Sequence, residues 1–157
     1  MKSIYYLAFI DKNHEPSIGI INKINHQISE FKKHFENVEL NLDVPDNVLI
    51  NRLKHKIPFL NPYGNWLKKY NIDKYDIIYI RKPLINGFFI INLKRLNKLG
   101  KRIFLEFPTY PYDIEHKSFA IYNKFQIIRE IVYRKKLYKY IEKIITYSND
   151  NEIFKTP

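Results

Sequence analysis

Short apolar runs alternate with longer stretches of helical apolar spacing along most of this chain. The runs of strand length cover residues 2–10, 38–44, 75–80, 103–105 and 143–148, and the helical patterns cover residues 18–35, 84–99 and 117–140. Strands that alternate with helices form βαβ units, which give a mostly parallel sheet covered on both faces. The pattern therefore predicts an α/β fold, a Rossmann-like three-layer sandwich with a mostly parallel sheet in a single domain.

The composition excludes several kinds of protein. The 157 residues include no cysteine, which rules out a disulfide framework, a cysteine-ligated zinc site and thiol catalysis. No apolar stretch reaches the roughly 20 residues that span a bilayer. Residues 2–10 have the apolar character of a signal peptide, but Asp11 follows at once and no small-residue cleavage site is present. A buried first strand and a cytoplasmic protein are therefore expected.

The strong positive charge of the chain gives information about its binding partners. The formal net charge is +11, which favours anionic partners and does not determine the fold. An anionic membrane surface, nucleic acid and a phosphorylated ligand are all open on this ground. The five histidines show no metal-ligand spacing, so no metal site is predicted. Two of them, His14 and His116, lie in predicted loops and are candidate general bases.

A stiff polar loop follows the predicted strand at 103–105. Within residues 106–113, two prolines restrict the backbone and the polar side chains are Glu106, Thr109, Tyr110, Tyr112 and Asp113. In open α/β sheets, ligands bind at the carboxyl ends of the strands, where this loop begins. Carboxylates that accept hydroxyl protons and aromatic faces that contact C–H surfaces suit a polyol ligand. The alternative is structural: Glu106 caps a helix or pairs with Arg81.

Arg81 ends the predicted strand at 75–80, also at the carboxyl edge. A guanidinium at that position could bind a phosphate or a carboxylate through two parallel hydrogen bonds. The structural alternative is an ion pair with Asp76, Glu106 or Asp113. Both interpretations place Arg81 beside the polar loop.

The turn before the first helix lacks the usual phosphate-binding glycines. Gly19 is the single glycine there, so neither a dinucleotide fingerprint nor a P-loop is present. Ser17 is a plausible N-cap, and the free backbone N–H groups at this helix start could receive an anion or a sugar hydroxyl. Alternatively, Gly19 only permits close packing of the helix on a strand.

The predicted helix at 117–140 is strongly basic and carries interleaved tyrosines. Its candidate membrane-facing residues are Lys124, Arg134, Lys135, Lys136 and Lys139. A basic, aromatic helix face is typical of helices that lie on anionic lipid. The same face would suit nucleic-acid phosphates, or it could simply be solvated.

Three segments together resemble a known family. They are residues 75–81 (YDIIYIR), 103–113 (IFLEFPTYPYD) and 144–150 (IITYSND), of which the middle one is the most specific. In this order they resemble the amino-terminal half of bacterial family-4-type glycosyltransferases with the GT-B fold, which often build capsule or other surface polysaccharides. Ser17, Gly19 and Lys23 stand at the positions that match the family's first turn and helix.

The resemblance implies a two-domain transferase of the retaining type. Residues 1–157 would be its amino-terminal acceptor-binding domain, and the nucleotide-sugar donor would be held by a carboxyl-terminal domain that is absent here. A saccharide acceptor, commonly lipid-linked, would be bound by Ser17, Gly19, Lys23, Arg81, Thr109, Tyr110 and Tyr112. Glu106 and Asp113 are the candidate catalytic residues, and Glu106 stands near a place where the family often has a histidine. No cofactor is expected, and the fragment alone is expected to be inactive.

The end of the chain fits the same expectation. It stops at Lys155–Pro157, just beyond a predicted strand and about where the family would cross into its second domain. The expected location is cytoplasmic, at the inner face of the cell membrane, with no specific nucleic-acid partner. Two other interpretations stay open: a stand-alone basic module that binds nucleic acid or a phosphorylated ligand, and a single-domain sugar-nucleotide or phosphosugar enzyme. The missing phosphate-loop glycines count against the second of these.

Overall fold

In the computed structural model, five parallel strands form one sheet with helices on both faces. The structure describes residues 2–9, 17–43, 71–81, 85–107 and 132–146. The strands are β1 (Ser3–Phe9), β2 (Asn37–Asp43), β3 (Ile77–Arg81), β4 (Arg102–Phe107) and β5 (Lys143–Thr146), and the helices are α1 (Ser17–Lys32) and α2 (Gly87–Lys98). The strand order is β2-β1-β3-β4-β5, and every pairing is parallel. The predicted Rossmann-like α/β fold is confirmed.

The central strands are apolar on both sides because both faces of the sheet are covered. All five residues of β3 are buried, and residues 4–8 of β1 are each at most 2% exposed. Strands buried on both faces lose the alternation of apolar and polar residues that a half-exposed strand shows. At the edge of the sheet, β2 keeps that alternation, as its sequence predicts.

The two helices cover opposite faces of the sheet. On one face, Ile24 and Ile28 of α1 pack against Ile4, Tyr6 and Tyr79 in one core cluster. On the other face, α2 packs against the alternate residues of the same strands, in a second cluster that includes Tyr5, Leu7, Ile78, Ile80, Phe89, Leu93, Leu96 and Leu105. These faces are called the α1 face and the α2 face below.

The bounds of α2 follow from local signals at both ends. The buried side chain of Asn86 accepts a hydrogen bond from the backbone N–H of Phe89 at 2.9 Å, which satisfies one of the helix's free donors. At the other end, Gly100 has φ = 71°, a conformation that costs glycine little. Its N–H bonds to the carbonyl of Asn97 and that of Lys101 to Leu96. The predicted stop at Gly100 is confirmed.

The region before β5 differs from the predicted helix at 117–140. Residues 132–134 are α-helical, but Leu137–Lys139 form a 3-10 turn. The N–H of Lys136 already bonds to the carbonyl of Tyr133, three residues back, so the helical hydrogen-bond pattern tightens at this point. Residues 117–131 of the predicted helix lie outside the described residues.

Candidate functional site

The register of the sheet brings two predicted site residues together. Arg81 of β3 lies directly opposite Ala8 of β1 on one side and Glu106 of β4 on the other. Both charged residues lie near the carboxyl ends of their strands. Their side chains are on the α1 face, because they alternate with core residues of the α2 face such as Ile80 and Leu105.

Arg81 and Glu106 form a buried ion pair. Arg81 Nη1 donates to Glu106 Oε1, and the side chains of the two residues are 3% and 0% exposed. Of the partners that the sequence left open for Arg81, Glu106 pairs with it, whereas Asp113 lies outside the described residues. Asp76 instead accepts hydrogen bonds from the backbone N–H and the hydroxyl of Ser3, both at 2.9 Å.

Three further side chains complete this buried polar cluster. Tyr79 Oη donates to Glu106 Oε2 at 2.8 Å, and Gln27 Nε2 of α1 donates to the same oxygen at 3.3 Å. Gln27 Oε1 accepts hydrogen bonds from Arg81 Nη1 at 3.2 Å and from Tyr6 Oη at 2.7 Å. The rings of Tyr6 and Tyr79 stack with centroids 4.8 Å apart. The cluster thus connects β1, β3, β4 and α1.

The environment of the cluster raises the pKa of both Tyr79 and Arg81. Burial and the neighbouring Glu106 carboxylate raise the pKa of Tyr79, so its hydroxyl stays protonated and remains a donor. Burial by itself lowers the pKa of Arg81, but the adjacent Glu106 carboxylate raises it overall. A cation and a proton donor therefore face the Glu106 side chain at any pH at which the fold persists.

Replacing Tyr79 with phenylalanine tests the hydrogen bond to Glu106 directly. The substitution keeps the ring and removes one donor to a buried charged group, so we expect a loss of about 1.5–3 kcal/mol in the free energy of unfolding. Urea unfolding followed by far-UV circular dichroism measures this loss. Tyr138→Phe is the matched control, because Tyr138 is 49% exposed. Its effect should stay within about 0.5 kcal/mol, and an equal effect of both substitutions would contradict the assignment.

The amino terminus of α1 also lies at the carboxyl edge, since α1 follows β1 in a parallel sheet. Ser17 is the first residue of α1, and the helix has no acidic residue in its first turn. A β-carbon built on Gly19 would meet nothing within 4 Å. Among the described residues, nothing therefore packs closely against Gly19, which is exposed. Lys23 lies one turn further on the exposed side of the helix.

Much of the predicted site lies outside the described residues. This applies to Thr109, Tyr110, Tyr112 and Asp113 of the loop after β4, to Lys124, and to His14 and His116. The structure brings together Arg81 and Glu106 among the predicted residues, and it places Ser17 and Gly19 at the same edge of the sheet.

The basic surface before β5 is partly as predicted. Lys135, Lys136 and Lys139 are exposed, and their region is called the basic turn (residues 135–139). The ammonium groups of Lys136 and Lys139 lie 5.6 Å and 5.8 Å from the rings of Tyr133 and Tyr138. Arg134, however, is only 8% exposed, and burial lowers its pKa. This burial argues against the predicted membrane-facing position of Arg134.

Sequence reasoning missed three members of the buried polar cluster. Tyr79 had a usable signal, because it precedes Arg81 by two residues and so shares a face of β3. Tyr6 and Gln27 had none, because their contacts depend on how β1 and α1 pack. Among the described residues, no group of three or more His, Asp or Glu side chains could hold a metal ion. None of the helices described there is long and apolar enough to cross a membrane.

Comparison with known proteins adds two distant structural likenesses. No protein-family model and no curated protein matches this chain. A Burkholderia pseudomallei protein described as pilus assembly-related is 8% identical, with a TM-score of 0.41 over 96% of this chain and 82% of that chain. Homoserine dehydrogenase of S. aureus is 13% identical, with a TM-score of 0.36 over 94% of this chain and 33% of that chain. Neither is described as a glycosyltransferase, and neither likeness identifies a family for this chain.

Proposed function

We propose that this chain is the acceptor-binding domain of a glycosyltransferase. In this proposal a saccharide acceptor, commonly lipid-linked, binds at the carboxyl edge of the sheet. A nucleotide-sugar donor would be bound by a second domain, and the sugar would pass from donor to acceptor between the two. The sequence segments 75–81, 103–113 and 144–150 suggested this family.

The observation that supports the proposal most is the convergence at one sheet edge of the α1 amino terminus, Arg81 and Glu106. Free N–H groups at a helix start favour an anion such as the phosphate of a lipid-linked sugar. Among the described residues nothing lies within 4 Å of a β-carbon built on Gly19, and in this proposal a ligand approaches the backbone there. The edge is also the usual ligand site of open α/β sheets.

The buried ion pair changes the roles proposed for Arg81 and Glu106. Each is buried and engaged with the other, so in this proposal they fix the relative positions of β3, β4 and α1 and thereby hold the loop that begins at Pro108. Thr109, Tyr110, Tyr112 and Asp113 of that loop are then the proposed contacts to the acceptor hydroxyls. Catalysis in such a transferase rests largely on positioning and electrostatic stabilisation between two domains.

The basic turn supports a place at the inner face of the cell membrane. Exposed lysines interleaved with Tyr138, and the adjacent exposed Val132, are the side chains that an interfacial segment uses on anionic lipid. A lipid-linked acceptor lies in that same surface.

A second candidate function is nucleic-acid binding by a stand-alone module. The formal net charge of +11 and the exposed basic turn favour it. The same lysines could bind the phosphates of lipid or of nucleic acid. The two candidate functions therefore differ in whether the chain also binds a saccharide acceptor.

Equilibrium binding at about 150 mM salt separates the candidates. The probes are a polyprenyl-diphosphate-linked saccharide in detergent micelles, a uridine-diphosphate sugar, and a short single-stranded RNA. We expect binding of the lipid-linked saccharide, little binding of the nucleotide sugar, and no sugar transfer by this chain alone. Binding of RNA only, or transfer from the nucleotide sugar without a partner domain, would contradict the proposal.

A further inference from the structure

Exposed apolar side chains are concentrated on the first half of α2 and on the segment before β5. Among the described residues six large apolar or aromatic side chains are exposed, and four of them belong to these two elements: Phe88, Ile91, Val132 and Tyr138. Phe88, Ile91 and Val132 are called the apolar patch below, and their exposed fractions are 47%, 62% and 50%. Single exposed apolar side chains are normal on a protein surface, whereas a group of them indicates an interaction site.

Described contacts join the apolar patch to the basic turn. A β-carbon built on Gly87, the residue before Phe88, would lie 3.1 Å from Tyr133 Oη. The Lys136 ammonium lies 5.6 Å from the centre of the same tyrosine ring. Tyr133 therefore contacts both the first turn of α2 and the basic turn, and Val132 directly precedes it. Apolar and basic side chains thus lie side by side on the outside of the layer that covers the α2 face.

The charges beside the apolar patch have one sign. Residues 85–101 and 132–141 contain no Asp or Glu. No ion pair joins Lys135, Lys136 or Lys139 to another residue in the part of the chain that the structure describes. The surface therefore favours a partner that is anionic and that also takes up apolar side chains.

We propose that the apolar patch inserts into an anionic lipid surface while the lysines of the basic turn contact the lipid phosphates. Proteins that bind at a membrane interface combine these two contributions, burial of apolar side chains and attraction to anionic lipid. A second copy of this chain is disfavoured, because two such surfaces would bring like charges together. Nucleic acid would match the lysines alone, since its phosphates offer Ile91 and Val132 no apolar contact. The inference rests on the membrane location in the proposed function and adds the residues that insert.

Serine variants separate insertion from charge attraction, because they leave the net charge unchanged. Phe88→Ser with Val132→Ser should weaken binding to phosphatidylglycerol vesicles at least about tenfold, since the burial of both side chains in lipid is lost. The matched control is Ile18→Ser with Leu99→Ser, at two apolar positions outside the patch that are 64% and 48% exposed. It should change vesicle binding by less than about twofold, because these side chains stay in water. Far-UV circular dichroism confirms that both variants are folded.

A fluorescent label reports insertion independently of the serine variants. Because the chain has no cysteine, Phe88→Cys can carry a single environment-sensitive dye. Leu99→Cys, at the other end of α2, is the control. When phosphatidylglycerol vesicles are added, we expect a blue shift of the dye at position 88 and none at position 99. Vesicles of neutral lipid provide the baseline.

Three results would overturn the proposal. They are equal losses of vesicle binding in the two serine variants, equal shifts of the two dyes, and labelling of the cysteine at position 88 only in urea, which would mean that the rest of the chain covers the patch. The vesicles contain no saccharide, so none of these results depends on the acceptor site of the proposed function. Vesicle binding that is lost when the lysines of the basic turn are replaced, but kept in the Phe88 and Val132 variant, would preserve the membrane location and overturn insertion.

Discussion

Replacing Glu106 with alanine is expected to lower the free energy of unfolding by about 3–5 kcal/mol. The substitution would leave the Arg81 guanidinium, whose side chain is 3% exposed, without its carboxylate partner in the protein interior. Tyr79 and Gln27 would lose the oxygen to which both donate. Urea unfolding at pH 7 measures the loss, with an unchanged denaturant slope as evidence that two-state behaviour persists.

Two control variants show whether the burial of the charge causes this loss. Glu30→Ala removes an exposed acid that pairs with Lys33 at 2.7 Å, and it should cost less than about 1 kcal/mol. The double variant Arg81→Met with Glu106→Leu removes both charges and keeps side chains of similar size. It should be more stable than Glu106→Ala, because no unpaired guanidinium stays buried, although Tyr79 and Gln27 still lose their acceptor. If Glu106→Ala cost no more than Glu30→Ala, the buried ion pair would not have the energetic role described above.

Replacing Lys135, Lys136 and Lys139 with glutamine is expected to weaken binding to anionic vesicles about 100-fold. Each lysine near an anionic surface contributes about 1 kcal/mol, so three contribute about 3 kcal/mol. Sedimentation with vesicles that contain phosphatidylglycerol measures the partition, and vesicles of neutral lipid alone provide the baseline. The loss should shrink as salt is raised, because surface electrostatics are screened.

A matched variant separates a docking surface from the effect of net charge. Lys32, Lys94 and Lys98 are exposed lysines outside the basic turn. Their replacement by glutamine removes the same total charge and should change vesicle binding by no more than about threefold. Equal losses in the two triple variants would mean that the net positive charge, and not the basic turn, attracts the membrane.

The fold could be predicted because its signals are local. The alternation of apolar runs with helical spacing predicted the strands and both described helices, and Gly100 marked the end of α2 in the correct place. Apolar strand segments, helix caps and glycines with positive φ are each determined by a few residues that are adjacent in the sequence. Arg134 departed from its predicted exposure: it is buried, as is Leu137 three residues later.

The buried polar cluster could be predicted only in part. The pairing of Arg81 with Glu106 was one of the predicted alternatives, because both residues lie at the ends of predicted strands. Which of three acids Arg81 would choose depended on the register between β3 and β4, and a slip of one residue would have put Glu106 on the other face. Gln27 joins the cluster because α1 crosses above these strands, and no local pattern in the sequence encodes that distance.

The proposed site is tested most directly by mapping where on the sheet the saccharide binds. Amide resonances of the isotope-labelled chain would be followed while the polyprenyl-diphosphate-linked saccharide is added in micelles, with empty micelles as the reference. The proposal predicts that shift changes specific to the saccharide concentrate at Ala8, Gly19 and Arg81, at the carboxyl edge. Changes confined to Ser3, Asn37 and Asp76 at the opposite edge, or to the basic turn alone, would contradict it.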